Sequence, residues 1–290
     1  MKKPLLLGGL FEIATHYDAF ILDVWGVLHN GIAPFSGTIP CLQSLKKAEK
    51  GILLLSNTPD RSPLVASHLS TMGITPDLYD HILTAGESAW LGLKHRPDDF
   101  HRKCGNKCLF AGSDFMTDDK GIPLFITGLD LDFVDSAAKA DFILNACGGT
   151  KKQDYEAMWN MVKEALAYKL PMICTNPDLV VNIGTRQYLC AGTFAKFYEE
   201  NGGEVLYHGK PHHPVYEMAW HILGKPDKTR MIAIGDSLHT DIQGANHFEI
   251  DSVFNFSGIH EEELETSEKR EALLKTQTYY PTYLMKEFRI

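Results

Sequence analysis

The sequence has no long hydrophobic run of the kind that crosses a membrane. No apolar stretch in its 290 residues approaches the roughly 18–20 residues that a membrane-spanning helix needs. The apolar start at Leu5–Leu7 is interrupted by Gly8, Gly9 and then Glu12, so a secretory signal peptide is not expected. We therefore predict a cytoplasmic protein that does not engage a membrane.

Cysteine and positive charge are also scarce. Six cysteines are too few for a disulfide scaffold, and Cys104 and Cys108 lack a second pair at metal-ligand spacing, so free thiols are favoured over a zinc site. Lys and Arg total 28 against 37 Asp and Glu, and the net charge of -9 argues against a nucleic acid polymer as partner. A phosphorylated small molecule would need a local device such as a metal ion, a lysine or backbone N–H groups.

Short, continuous apolar runs that end in a polar residue or glycine dominate the first and last parts of the chain. The runs are 19–22, 52–55, 231–234 and 251–256. Runs without alternation suit strands that are buried on both faces of a parallel sheet. Helical spacing of apolar residues, with a proline near the start, marks 40–50, 63–72 and 214–223. The pattern predicts an α/β fold with a doubly wound parallel core sheet.

A second set of such runs lies in the middle of the chain, at 108–111, 141–144, 172–174 and 204–207, with a helical stretch at 155–168. This grouping predicts an α/β domain inserted into the core. We place the discontinuous core domain at 1–84 and 207–290 and the inserted domain at 85–206.

Polar residues follow the predicted core strands at one edge of the sheet, where open parallel sheets bind ligands. They are Asp23, Ser56, Asn57 and Asp236, with Asp241 five residues further on and Lys210 after the last strand of the insert. Carboxylates, a hydroxyl and a lysine together suit a hard divalent cation and a phosphoryl group. A single strand-end Asp is more often a cap or turn residue, so the inference depends on the whole set.

Four segments in this order resemble motifs of the haloacid dehalogenase-like hydrolase superfamily, class IIA, the NagD-type sugar-phosphate and nucleotide phosphatases. The segments are 23–28 (DVWGVL), 55–58 (LSNT), 209–211 (GKP) and 235–242 (GDSLHTDI). The segment 175–178 (TNPD) is similar to a loop of the class's cap domain. The resemblance covers nearly the whole chain and implies a Rossmann-like core with an inserted α/β cap.

The resemblance implies a Mg²⁺-dependent phosphomonoester hydrolase that acts on a small phosphorylated metabolite, a sugar phosphate or a nucleotide. Asp23 would be the nucleophile that forms an aspartyl-phosphate. The metal would be held by Asp23, the backbone carbonyl of Trp25, Asp236 and Asp241. Ser56, Asn57 and Lys210 would bind the phosphoryl oxygens. Asn176 and Asp178 would face the substrate, or simply form a turn that closes a strand. The resemblance also implies that a homodimer can form through the cap.

Trp25 departs from the family pattern, which has a second aspartate here as general acid and base. An indole has no basic site and no exchangeable proton near neutral pH. Three alternatives follow: another base, with His29 and His239 nearest in sequence; substrates whose leaving group needs no proton; or a catalytically impaired protein that binds a phosphoester in a regulatory role. Trp25 itself could pack in the fold or stack on a substrate ring.

Overall fold

The computed structural model describes residues 3–112, 124–146, 152–183, 186–256 and 266–290. The strands are β1 (Leu5–Leu7), β2 (Ala19–Asp23), β3 (Gly51–Ser56), β4 (His81–Thr84), β5 (Lys107–Ala111), β6 (Asp132–Val134), β7 (Phe142–Asn145), β8 (Met172–Cys174), β9 (Val180–Ile183), β10 (Arg186–Leu189), β11 (Val205–Tyr207), β12 (Met231–Gly235), β13 (Asp251–Asn255) and β14 (Tyr283–Met285). The helices are α1 (Thr38–Lys47), α2 (Ser62–Thr71), α3 (Ala85–His95), α4 (Asp99–Lys103), α5 (Lys152–Ala167), α6 (Ala191–Glu200), α7 (His213–Ile222), α8 (Gln243–Phe248) and α9 (Ser267–Lys275).

Chain contacts divide the protein into two compact units. The first comprises 1–56, 63–83 and 210–290, and the second comprises 57–62 and 84–209. The sequence places 57–62, Thr84 and 207–209 in the core domain, whereas these residues pack with the second unit. The physical reasons are hydrogen bonds: the N–H of Gly86 donates to the Thr58 carbonyl at 3.1 Å, and the N–H of His208 donates to the Cys174 carbonyl at 2.9 Å.

The first unit is built on a seven-stranded sheet in the order β1-β14-β13-β12-β2-β3-β4. Its neighbours from β1 to β3 all pair in parallel. Side chains alternate between the two faces of each strand, and both faces are buried. In β2, for example, Phe20 and Leu22 join one hydrophobic cluster while Ala19 and Ile21 join another on the opposite face. Burial on both faces explains why the strands have continuous apolar sequences.

The second unit contains a five-stranded sheet in the order β11-β8-β7-β5-β6 and a separate antiparallel pair, β9 and β10. The neighbours in the larger sheet pair in parallel. Its central strand β7 is also buried on both faces, since Ile143 belongs to one cluster and Phe142 and Leu144 belong to another. The predicted α/β fold with parallel sheets and an inserted α/β domain is confirmed.

The predicted strands and helices all occur, with ends that shift by a few residues. The sequence does not predict β1, β4, β6 and β14, because each has only three or four residues and such short runs are weak signals. Among the described helices, none is long and apolar enough to span a membrane. The described cysteines are free and buried, at 41, 104, 108, 174 and 190; Cys147 lies outside the described residues.

Candidate active site

Two adjacent strands of the first unit end in carboxylates at the same edge of the sheet. Strand β2 ends at Asp23, and Asp236 directly follows β12. These strands pair in parallel with Ile234 opposite Leu22, so both aspartates lie just beyond the last register pair. On the other side of β2, Leu55 pairs with Asp23, which places Ser56 one residue further along the same edge. The structure therefore brings these strand ends together as the sequence predicts.

Asp23, Asp236 and Asp241 form a compact acidic cluster. Each offers a carboxylate oxygen, and these oxygens all lie within 4.8 Å of one another. All three side chains are buried, with only 8% of Asp23 exposed. Because these carboxylates are shielded from water, their negative charges repel one another strongly at this separation. A cluster of this kind therefore needs a cation.

Lys210 supplies one positive charge to the cluster. Its Nζ donates to Asp23 Oδ1 at 2.5 Å and to Asp241 Oδ1 at 2.8 Å, and the residue is only 3% exposed. Burial opposes the charge on Lys210, but the two carboxylates outweigh it and raise the pKa of the amine above its usual range. The ammonium ion is therefore permanent at physiological pH.

A single ammonium does not balance three buried carboxylates. Burial raises the pKa of the Asp23 carboxyl to about 7; Lys210 opposes the rise and Asp241 adds to it. With all carboxylates ionised, the cluster would carry a net charge of about -2 in a water-poor site. Oxygen ligands, burial and this excess charge suit a hard divalent cation such as Mg²⁺.

Asp241 is held by an unusual turn of helix. Residues Leu238–Ile242 form a π-helix, a rare element that often occurs at functional sites. Besides Lys210, the Asp241 carboxylate accepts hydrogen bonds from the Ser237 N–H at 3.3 Å and the Thr240 hydroxyl at 3.2 Å. Both of its oxygens are therefore engaged within the protein. This arrangement suits a residue that orients Lys210 and the π-helix. It suits less well a residue whose two carboxylate oxygens both serve as metal ligands.

Two glycines make room for these carboxylates. Gly26 has a φ of +87°, and a Cβ there would lie 2.0 Å from Asp236 Oδ2. At Gly235 a Cβ would lie 2.0 Å from Asp241 Cγ. Since real Cβ atoms do not approach other atoms so closely, only glycine allows the strand-end loops to meet the carboxylates.

We expect Gly26→Ala to damage the site more than its backbone strain alone would explain. Gly224→Ala is the matched control, because Gly224 has a similar φ of +81° but a Cβ there would have open space for 4 Å around it. The control should lose about 1–2 kcal/mol of unfolding free energy, and Gly26→Ala about 1–3 kcal/mol more. Urea denaturation measures the unfolding free energy of both variants. In titration calorimetry, Gly26→Ala should bind Mg²⁺ at least about tenfold more weakly than wild type, whereas Gly224→Ala should bind it as wild type does. Equal effects of the two substitutions would contradict this account of Gly26.

The peptide that joins Trp25 to Gly26 is fixed by the loop that follows. The Gly26 N–H donates to the His29 carbonyl at 2.9 Å. In a trans peptide the carbonyl points opposite to the N–H, so the Trp25 oxygen points away from His29. The buried Asn255 side chain, at the end of β13, donates to the neighbouring Gly26 carbonyl at 3.3 Å. Asn255 is not among the site residues that the sequence predicts. Only its position at the end of a strand next to that of Asp236 could have indicated it.

Three of the predicted substrate-binding residues belong to the second unit. Asn57 Nδ2 donates to Asp178 Oδ1 at 2.8 Å, and Asn176 Oδ1 accepts from the Asp178 N–H at 3.0 Å. The second of these bonds is that of an Asx turn, as the alternative interpretation of the 175–178 segment requires. The bond to Asn57 shows that the turn also has a partner at the start of the segment 57–62.

The two histidines considered as replacement bases differ in their surroundings. His29 is buried, and its Nδ1 accepts from the Gly31 N–H at 2.9 Å. Burial, with a smaller effect of His68, lowers the pKa of His29 to about 4, so the ring is neutral. His239 lies within the π-helix and is exposed. Neither has a hydrogen bond to the acidic cluster among the described contacts.

Comparisons with known proteins identify the fold and the family. The family model of haloacid dehalogenase-like hydrolases matches residues 20–119, and a second model of hydrolases of this type matches 207–284. A haloacid dehalogenase-like hydrolase from Brucella suis is 28% identical, with a TM-score of 0.76 over 98% of this chain and all of that chain. No curated protein matches.

Two further solved structures share the fold at lower identity. A possible sugar phosphatase from Cytophaga hutchinsonii is 18% identical, with a TM-score of 0.77 over 99% of both chains. A 4-nitrophenylphosphatase from Thermotoga maritima is 21% identical, with a TM-score of 0.70 over 94% of this chain and 95% of that chain.

The first unit is a parallel α/β sheet with an acidic cluster at its strand ends and the buried Lys210 beside it. The chain belongs to the haloacid dehalogenase-like hydrolases. The second α/β unit, 57–62 and 84–209, interrupts the first in the sequence.

Proposed function

We propose that the protein is a Mg²⁺-dependent phosphomonoester hydrolase that acts through an aspartyl-phosphate on Asp23. The observation that carries the proposal is the buried cluster of Asp23, Asp236 and Asp241 around Lys210. Family membership and the phosphatase names of two structural neighbours support it. Because the net charge is -9, we propose a small phosphorylated metabolite as substrate rather than a nucleic acid polymer. We propose a cytoplasmic location because no apolar stretch of the sequence resembles a membrane span or a signal peptide.

Mg²⁺ would be held by Asp23, Asp236 and the Trp25 carbonyl, with Asp241 completing or orienting the site. When bound, the ion would offset the charge of the carboxylates and of the phosphoryl group.

In the proposed reaction, an Asp23 oxygen forms a bond to phosphorus while the bond from phosphorus to the ester oxygen breaks. Lys210, which is hydrogen-bonded to Asp23, offers a fixed positive charge to the phosphoryl oxygens. Ser56 lies at the same edge of the sheet and offers its hydroxyl. Water then attacks phosphorus, which releases phosphate and restores Asp23.

The test is phosphate release from a panel of phosphomonoesters by the purified protein, with Mg²⁺ and with a chelator, beside the Asp23→Asn variant. We expect release that requires Mg²⁺ and is absent from the variant. Chelator should reduce the wild-type rate by at least about 10²-fold, since metal charge stabilisation contributes several kcal/mol. Absence of metal-dependent release would overturn the proposal. If a phosphoester then binds without turnover, the protein is the catalytically impaired phosphoester-binding protein that the replacement of the usual aspartate by Trp25 suggests as an alternative.

A further inference from the structure

The loop that follows Asp23 contains no side chain that can donate a proton near neutral pH. Its residues are Val24, Trp25, Gly26, Val27 and Leu28. An indole N–H does not exchange as an acid in this range, and the others are apolar. Lys210 is no better as an acid, because the carboxylates of Asp23 and Asp241 hold its proton.

His29 is the first titratable residue after Asp23, and its contacts prevent it from acting as the acid. Its Nδ1 accepts from the Gly31 N–H, so in the neutral ring the proton is on Nε2. The groups that face it are the neutral indole of Trp25 and the ring of His68, with ring centroids 5.5 Å and 6.3 Å away. No carboxylate stabilises an imidazolium there among the described contacts.

His239, the other candidate base, is exposed and has no hydrogen bond to the acidic cluster among the described contacts. The chemistry of the leaving group follows from these surroundings. When Asp23 bonds to phosphorus, the electron pair of the broken P–O bond stays on the ester oxygen. If no side chain supplies a proton, the product leaves as an oxyanion. A phenol, with a pKa of about 10 as in a tyrosine side chain, forms this anion far more readily than a sugar hydroxyl does.

Trp25, two residues after Asp23 in the sequence, presents a flat aromatic surface. Its indole is 47% exposed and packs closely against Gly31, because a Cβ on that residue, whose φ is +90°, would lie 2.4 Å from indole Cη2. The His29 ring packs against the indole edge-on at an interplanar angle of 71°. A half-exposed indole with one edge packed against its own loop is suited to stacking on another ring.

We propose that the substrates are phosphate monoesters of aromatic hydroxyl groups and that Trp25 determines this specificity. The inference rests on the phosphomonoesterase activity proposed above. The leaving group departs as an aryl oxide that stacks on Trp25, and water protonates it after release. Trp25 is a specificity-determining residue here, and an aspartate at the same position would extend the activity to alkyl esters.

The experiment measures kcat/KM for 4-nitrophenyl, phenyl and ethyl phosphate, whose leaving groups rise in pKa in that order. Wild type should show a steep fall along the series. Trp25→Asp should raise kcat/KM for ethyl phosphate by about 10²–10⁴-fold, the usual contribution of a general acid. Trp25→Asn is the matched control, because it has the size of Asp without the acid, and it should keep the steep fall.

Stacking is tested separately with Trp25→Phe and Trp25→Leu, using acetyl phosphate as a substrate with a good leaving group and no ring. Trp25→Leu should raise KM for phenyl phosphate about tenfold more than KM for acetyl phosphate, whereas Trp25→Phe should not. An active wild type with a flat series, or equal KM changes on both substrates, would overturn this inference alone. An inactive wild type on every ester would instead overturn the proposed function. Circular dichroism establishes that each variant is folded, and the wild-type series tests the inference even if a variant is not.

Discussion

Replacing Asp23 with asparagine is expected to reduce phosphate release by at least about 10⁴-fold, because removing the nucleophile of a covalent mechanism removes most of its rate enhancement. The amide keeps the size of the side chain, and its oxygen can still accept from Lys210 Nζ, which lies 2.5 Å from Asp23 Oδ1 in the wild type. The measurement is a single-turnover assay at saturating Mg²⁺ that detects both phosphate and the phosphorylated protein. Labelled phosphoprotein should form on the wild type and be absent from the variant.

The same substitution should make the metal-free protein more stable, which separates loss of chemistry from loss of folding. The pKa of Asp23 is raised to about 7 in the folded state, so the stability linked to this group is lost as pH rises through that value. Asparagine carries no charge, so at pH 8 with chelator its Tm should exceed that of wild type by about 2–4 °C or more, the shift expected per kcal/mol. The difference should shrink at pH 5. A variant that is inactive and less stable at pH 8 would argue that Asp23 is structural.

Replacing Lys210 with methionine is expected to lower kcat/KM by about 10³-fold, since the site loses a fixed positive charge beside Asp23, the proposed nucleophile. Methionine fills similar volume without the ammonium. The cost in stability should be large as well: removing one partner of a buried ion pair typically costs about 3–5 kcal/mol. Both Asp23 and Asp241 lose their hydrogen bond from Nζ in this variant.

Mg²⁺ provides the internal control for Lys210→Met. If excess negative charge is the cause of instability, saturating Mg²⁺ should raise the unfolding free energy of the variant more than that of wild type in urea denaturation. Activity should remain low, because the ion cannot replace the ammonium beside Asp23. Wild-type activity in the variant, or stabilisation by Mg²⁺ that is no greater than in wild type, would contradict the role that we assign to Lys210.

Several features of the site could be predicted from local sequence because each depends on a single strand. The apolar run before Asp23 predicts a buried strand, and a parallel sheet directs the residue after such a strand to its carboxyl edge. The same reasoning places Ser56 and Asp236. The roles of these residues in catalysis stay predictions, as does the metal, until the experiments above are done.

Other features depend on contacts between residues that are distant in the chain. The need for glycine at position 26 is visible only when Asp236 is packed against it, and the neutral state of His29 follows from its burial and the Gly31 N–H. The alternative that His29 replaces the missing base could not be weighed before that hydrogen bond was known. Domain ends were also misplaced by a few residues, because no linker composition marks them.

The order of buried runs and the polar residues that end them determined the α/β class, the inserted domain and the edge of the sheet where Asp23 and Asp236 lie. Local hydrophobic patterns are sufficient for this, since side-chain burial in a parallel strand is a property of consecutive residues. Only the tertiary structure decided that one ammonium, that of Lys210, serves two of the three buried carboxylates and that the Trp25 indole packs against Gly31 and His29. Charge balance and ring packing depend on distances between separate segments, and spacing along the chain does not specify those distances.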